Sequence, residues 1–239
     1  MKELKHLEDI FKNYDTFVID LWGVMHNGVV LNPKAIEAVD QLKKNLKKIV
    51  FLSNAPRPSY KVINFLLKMK MDRKFLEHVI TSGEAAMHAI NQKKFGKTFF
   101  HLGPERDFSV FEKVKENRTD LHDCEFILCT GLFDDYDNDL DYYKKFLLKH
   151  ISKKLICTNP DLIVHRGNTE ELCAGSVAKV FEDLGGEVIY FGKPHKEIYR
   201  MCFSKKEKVL AIGDNLRTDI KGANNLNIDS VFITDGVHK

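Results

Sequence analysis

Apolar residues in this chain gather into short unbroken runs, separated by stretches with helical spacing, and that alternation sets the fold class. Phe17-Val18-Ile19 runs into Asp20, Ile49-Val50-Phe51-Leu52 into Ser53-Asn54, and Val209-Leu210-Ala211-Ile212 into Gly213-Asp214. Glu187–Phe191 and Ser230–Ile233 repeat the pattern. Between the first two runs, Asn32-Pro33 reads as a helix start, with Asn as N-cap and Pro in the first turn. Ile36, Val39, Leu42 and Leu46 supply that helix's apolar stripe, and Pro56 and Pro58 forbid continuation of the second strand. Further helices are predicted over 194–203 and 216–226, and Leu4, Leu7, Ile10 and Phe11 share one helical face at the N-terminus. Strands that are apolar throughout are buried on both faces. The expectation is therefore an α/β fold, a Rossmann-like parallel sheet core with helices on both faces.

The middle of the chain has an alternation of its own. Strands are predicted at 98–101, 126–129 and 155–157, and helices over 84–94, 140–152 and 173–184. This predicts an inserted α/β cap domain over 82–186 and a discontinuous core made of 1–81 and 187–239. Ligands of such sheets sit beyond the carboxyl ends of the strands. Asp20, Ser53, Gly192 and Asp214 all fall there.

Composition changes this picture little. The formal charge is +3 and the lysines are scattered, so no basic stripe points to nucleic acid. No apolar run reaches the ~20 residues of a membrane helix, and the N-terminus lacks the apolar centre of a secretory signal. The five cysteines contain no C-x-x-C pair. They read as small buried apolar residues in a reducing, cytoplasmic setting, not as a zinc or disulfide framework.

Four pieces at predicted strand ends can share one reaction: Asp20-Leu21-Trp22-Gly23-Val24, Ser53-Asn54, Gly192-Lys193-Pro194, and Gly213-Asp214 through Thr218-Asp219. A carboxylate at a strand tip can attack phosphorus and form an acyl phosphate. An anion attacking an anionic ester needs its charge offset, and Mg²⁺ held by carboxylates and other oxygens does this. Asp20 and Asp214 suit that task, with the Trp22 carbonyl as a third oxygen and Asp219 behind them. Lys193 offers a positive charge to the phosphate or to Asp20. Ser53 and Asn54 offer a hydroxyl and amide groups to phosphoryl oxygens. Singly, each piece is an ordinary turn or cap. Together, in order along one sheet rim, they are much harder to dismiss.

These four segments resemble the motifs of the haloacid dehalogenase superfamily, specifically its subclass IIA. Cys157-Thr158-Asn159-Pro160-Asp161 and Cys173-Ala174-Gly175-Ser176 are similar to segments of that subclass's large cap. The resemblance spans nearly the whole chain. It implies a Mg²⁺-dependent phosphatase for a small phosphorylated molecule, with Asp20 as nucleophile and Lys193 beside it. Asp20, Asp214 and the Trp22 carbonyl would hold the ion, with Asp219 supporting. Ser53, Asn54, Asn159 and Asp161 would face the substrate. A cap face could also pair with a second copy of the chain.

One departure bears on rate. Phosphatases of the superfamily carry a second Asp two residues after the nucleophile, to protonate the leaving group and then activate water. Trp22 stands there, and indole does neither. General acid–base help is worth ~10²–10⁴-fold, so the sequence predicts slow hydrolysis unless another group substitutes. His26 and His195 are the candidates near the rim. Two alternatives stay open: a phosphate-binding protein that barely turns over, and a phosphotransferase that stalls at the aspartyl phosphate. The chain also ends at Lys239, soon after the last predicted strand, where the resemblance implies a further strand and helix.

Overall fold

The predicted apolar runs become two parallel sheets, with one inserted into the chain of the other. The structure is a computed structural model that describes residues 3–166 and 169–236. The core opens with β1 (Thr16–Ile19), α1 (Pro33–Lys44), β2 (Lys48–Ser53), α2 (Ser59–Lys68) and β3 (Val79–Thr81). The insert follows with α3 (Ser82–Asn91), β4 (Phe99–Leu102), β5 (Phe126–Cys129), α4 (Leu140–Leu147) and β6 (Lys154–Cys157). Its second half holds the hairpin β7 (Ile163–Arg166) and β8 (Thr169–Leu172), then α5 (Ala174–Asp183) and β9 (Glu187–Tyr190). The core closes with α6 (Lys196–Tyr199), β10 (Val209–Gly213), α7 (Lys221–Leu226) and β11 (Asp229–Phe232).

The core sheet has five strands in the order β11-β10-β1-β2-β3, all parallel. Strand alternation splits β1 between two apolar clusters: Phe17 and Ile19 join Phe51, Leu66 and Leu210 on one face, while Val18 joins Val50, Leu52 and Tyr199 on the other. Both faces are thus covered, which is why these strands are apolar throughout. Asn32 caps α1 as predicted, its side chain accepting from the N–H groups of Lys34 and Ala35.

Several elements differ from the sequence reading. The N-terminal helical face is two single 3₁₀ turns, Leu7–Asp9 and Phe11–Asn13, yet Leu7, Ile10 and Phe11 still pack on the core. No side chain caps either turn, so nothing holds them in one longer helix. The helix expected over 194–203 is regular only at Lys196–Tyr199. Pro58, read as a strand breaker, also stands at the N-cap position of the unpredicted α2.

The larger correction concerns Glu187–Tyr190. It is not a core strand: β9 pairs in parallel with β6, Lys154 opposite Glu187 and Cys157 opposite Tyr190, and completes the insert's sheet β4-β5-β6-β9. An apolar run shows that a strand is buried but not which of two sheets it joins. The inserted unit therefore runs from Ser82 to Tyr190, and its strands also end toward the core; we call it the cap. All five cysteines are buried and unpaired. No helix among the described residues is long and apolar enough to cross a membrane.

Inside the cap, His101 is buried against the ring of Phe111, with its Nε2 2.9 Å from the Thr130 hydroxyl. Burial, helped by the Arg118 charge, lowers its pKa to about 4. The unfolded chain binds a proton on this imidazole near pH 6.5, whereas the folded one resists until about pH 4. Stability from this group is complete above pH 6.5 and declines as pH falls toward 4, by on the order of 3 kcal/mol. Urea unfolding across that range should show the decline, and His101→Gln should make it shallower, leaving the share of His26, which is depressed to about 4 as well.

Candidate active site

Two core strands and the turn after the second deliver the acidic groups to one point. Asp20 follows β1 and its N–H donates to the Ile212 carbonyl of β10 (2.9 Å), so the nucleophile candidate is fixed by the sheet itself. Asp214 follows β10 and is fully buried. Asp219 lies on the wide helical turn Leu216–Ile220, where its Oδ2 accepts from the Asn215 N–H at 3.2 Å. Ligand oxygens of Asp20, Asp214 and Asp219 all lie within 4.8 Å of one another. Two acidic side chains far apart in sequence, positions 20 and 214, do meet.

Lys193 enters this cluster from the strand that returns from the cap. Its Nζ donates to Asp20 Oδ1 at 2.5 Å and to Asp219 Oδ1 at 2.7 Å, and it is buried. Burial opposes the Lys193 charge, but Asp20 and Asp219 outweigh it and hold the ammonium well above its ordinary pKa. Asp20 is driven the other way. Its burial raises the carboxyl well above the usual range, against the pull of Lys193 and with the push of Asp219 and Asp214. Among the described residues, the ammonium bridges two of the three carboxylates, and a divalent cation would add positive charge beside all three.

The carboxylates are also tightly framed. Gly23 has φ of +89°, and a Cβ there would sit 2.1 Å from Asp214 Oδ2. Only glycine lets the nucleophile loop press this closely on Asp214. A cluster of carboxylate oxygens is the kind of donor set Mg²⁺ takes, so the residues present fit that ion.

Asn54 does more than expected. Its Oδ1 accepts from the Lys193 N–H (2.7 Å), and its Nδ2 donates to the Lys193 carbonyl (3.2 Å) and to Asp161 Oδ1 (3.0 Å). The side chain clamps the lysine backbone, and the residue also lines the cleft. Ser53 lines the cleft, and its hydroxyl oxygen accepts from the Ala55 N–H. Asn159 and Asp161 line the cap side, joined by a turn in which Asn159 Oδ1 accepts from the Asp161 N–H.

Neither histidine candidate reaches the cleft. His26 is buried beneath the loop, where its Nδ1 accepts from the Gly28 N–H and its ring meets those of Trp22 and Phe65 edge-on. Burial, with the Arg166 charge, lowers its pKa to about 4, so it stays neutral in the physiological range. His195 stacks on Tyr190 at 5.5 Å and stands at the N-terminus of α6. Both are structural side chains, and neither lines the cavity among the described residues.

The cleft between core and cap has a volume of about 570 Å³. Sequence reasoning missed part of its lining. Arg57, after β2, pairs through Nε with the buried Asp107 of the cap at 2.6 Å. The hairpin β7–β8 lies over Trp22, and Arg166 lies against the indole face. A Gly-Asn step between two short runs was the available hairpin signal; those two residues, 167 and 168, lie outside the described ones. No sequence pattern marks the Arg57–Asp107 pair.

Comparison with known proteins now has a geometry to meet. Residues 17–115 match the haloacid dehalogenase-like hydrolase family, and residues 190–239 match a HAD-hydrolase-like family. A haloacid dehalogenase-like hydrolase from Brucella suis 1330 has the same fold, with a TM-score of 0.91 and 31% identity over 99% of this chain and 91% of that one. The chain belongs to the haloacid dehalogenase-like hydrolases. Other members of this hydrolase family are more distant. The 5'-nucleotidase YutF of Bacillus subtilis is 25% identical, covering 95% of this chain and 90% of that protein. The acid sugar phosphatase of Staphylococcus haemolyticus is also 25% identical, covering 95% and 87%. A 4-nitrophenylphosphatase structure from Thermotoga maritima gives a TM-score of 0.72 at 26% identity, covering 95% and 88%.

Proposed function

We propose that this hydrolase is a Mg²⁺-dependent phosphatase that cleaves a small phosphoester through an aspartyl phosphate on Asp20. The observation that carries the reading is the meeting of Asp20, Asp214 and Asp219 around the Lys193 ammonium. The phosphatase and nucleotidase names of the relatives agree with it. Asp20, Asp214 and the Trp22 carbonyl would hold the ion, which supplies positive charge beside the phosphoryl oxygens. Asp219, with both carboxylate oxygens engaged by Lys193 and Asn215, supports from behind. The Asp20 carboxylate attacks phosphorus, the bond to the leaving oxygen breaks, and its electron pair departs with that oxygen. Water then attacks the phosphorus of the acyl phosphate, a proton passes to solvent, and Asp20 is released. Ser53 and Lys193 offer donors to the charge that develops on the phosphoryl oxygens.

Trp22 sets the limit on rate. With indole in the acid position and both histidines outside the cleft, the leaving group must depart on its own acidity. Phosphates with acidic leaving groups, such as the ester 4-nitrophenyl phosphate or the anhydride acetyl phosphate, should therefore turn over ~10²–10⁴-fold faster than alkyl phosphates. Chelation of Mg²⁺ should abolish both activities. The same Trp22 favours a second reading, a ligand-binding protein with vestigial turnover. A panel of phosphoesters with Mg²⁺ separates the two. Binding of an ester with no release of phosphate from any member of the panel would decide for the second.

A further inference from the structure

The residue standing in the acid position is engaged with the cap. Trp22 Nε1–H donates to the His165 carbonyl of β7 at 2.8 Å, and the Arg166 guanidinium lies 5.3 Å from the indole centroid. The ring itself is held from the core side. His26 meets it edge-on at 5.0 Å, and a Cβ on Gly28 would come within 2.5 Å of Trp22 Cζ2. A rigid core side chain thus presents one donor and one aromatic face to two consecutive residues of the hairpin. That hairpin contributes Val164, Arg166, Thr169, Glu170 and Leu172 to the cleft wall. Arg166 is fixed a second time, its Nε donating to Glu171 Oε1 at 2.9 Å across the two strands.

We propose that Trp22 is a positioning residue: its indole docks the hairpin β7–β8 onto the nucleophile loop and so fixes the substrate-facing wall two residues from Asp20. The position that would otherwise carry proton transfer here carries the contact that seats the cap. A short antiparallel pair without a third strand is marginal by itself, and these two contacts supply the missing support. The bond to a backbone carbonyl needs a ring N–H, and the guanidinium needs an aromatic face. Tryptophan provides both.

The kinetic arm of the test rests on the phosphatase reading; the other arms do not. Trp22→Phe keeps a face for Arg166 and removes the N–H. With 4-nitrophenyl phosphate and Mg²⁺, KM should rise about tenfold with little change in kcat. A fall in kcat at constant KM would assign the indole to the chemical step and overturn the proposal. Amide hydrogen exchange in Ile163–Arg166 and Thr169–Leu172 should quicken in the same protein, while β1 and β10 stay protected. Trp22 is the single tryptophan of the chain, so Arg166→Ala offers an independent view. Its emission should shift to the red as the ring is uncovered. Unchanged exchange in Trp22→Phe together with unchanged emission in Arg166→Ala would end the idea. Faster hairpin exchange in a protein that hydrolyses no ester would sink the phosphatase reading and leave this one standing.

Discussion

Replacing Asp20 by Asn is expected to remove about 10⁴-fold or more of the phosphatase rate and to leave the protein at least as stable as before. The two effects have one cause. Asn is nearly the size of Asp, and the backbone bond from residue 20 to Ile212 does not depend on the side chain. The nucleophile is lost, however, and so is one of three buried carboxylates that raise one another's cost. A group whose carboxyl pKa is raised on folding destabilises the folded protein at neutral pH, so its removal stabilises. Thermal unfolding without Mg²⁺ should show an equal or higher midpoint for Asp20→Asn. With Mg²⁺ the order should reverse, because Asp20→Asn removes one of the two carboxylates that would hold the ion. Phosphate release at the original rate would mean that the attack comes from another residue.

Lys193→Met should be the most damaging single change to the fold. The ammonium is buried between Asp20 and Asp219, and no other lysine or arginine forms an ion pair with either among the described residues. Removing one member of a buried ion pair strands the rest, at a cost of about 3–5 kcal/mol. Part of the loss should return with Mg²⁺, by RT ln(1 + [L]/Kd), because the ion restores positive charge to the same oxygens. Urea unfolding with and without Mg²⁺ measures both quantities. Equal stability of Lys193→Met and the parent in chelator would mean that the carboxylates neutralise themselves by taking up protons.

How far the sequence reached can be judged residue by residue. The core sheet was legible because its strands are covered on both faces and so write themselves as unbroken apolar runs. Asp20 and Asp214 were legible because parallel strands end together, and both stand directly after such runs; Lys193 was placed at the same rim by an assignment of β9 that the topology corrects. Asn54 was legible only in part. Its place at a strand end was readable, but the clamp on Lys193 spans 139 positions and uses backbone atoms that every residue has. The Trp22 contact with the His165 carbonyl was hidden in the same way, across 143 positions. Burial decided the fate of His26, and a single imidazole in a sequence does not announce whether it is covered. β9 misled because Val188 and Ile189 would suit either sheet equally well.

The chain passes between its two units at Thr81–Ser82 and again just after Tyr190. Severing it at the first junction and between Phe191 and Gly192 would leave Asp20, Ser53 and Asn54 on one core segment and Lys193, Asp214 and Asp219 on the other, with none of them on the excised unit. Evolution or an engineer could therefore graft a foreign lid at these two splice points without removing any of these six side chains. The graft would still have to carry its own partner for the indole at position 22, since the wild-type one, the carbonyl of residue 165, would be discarded with the old lid.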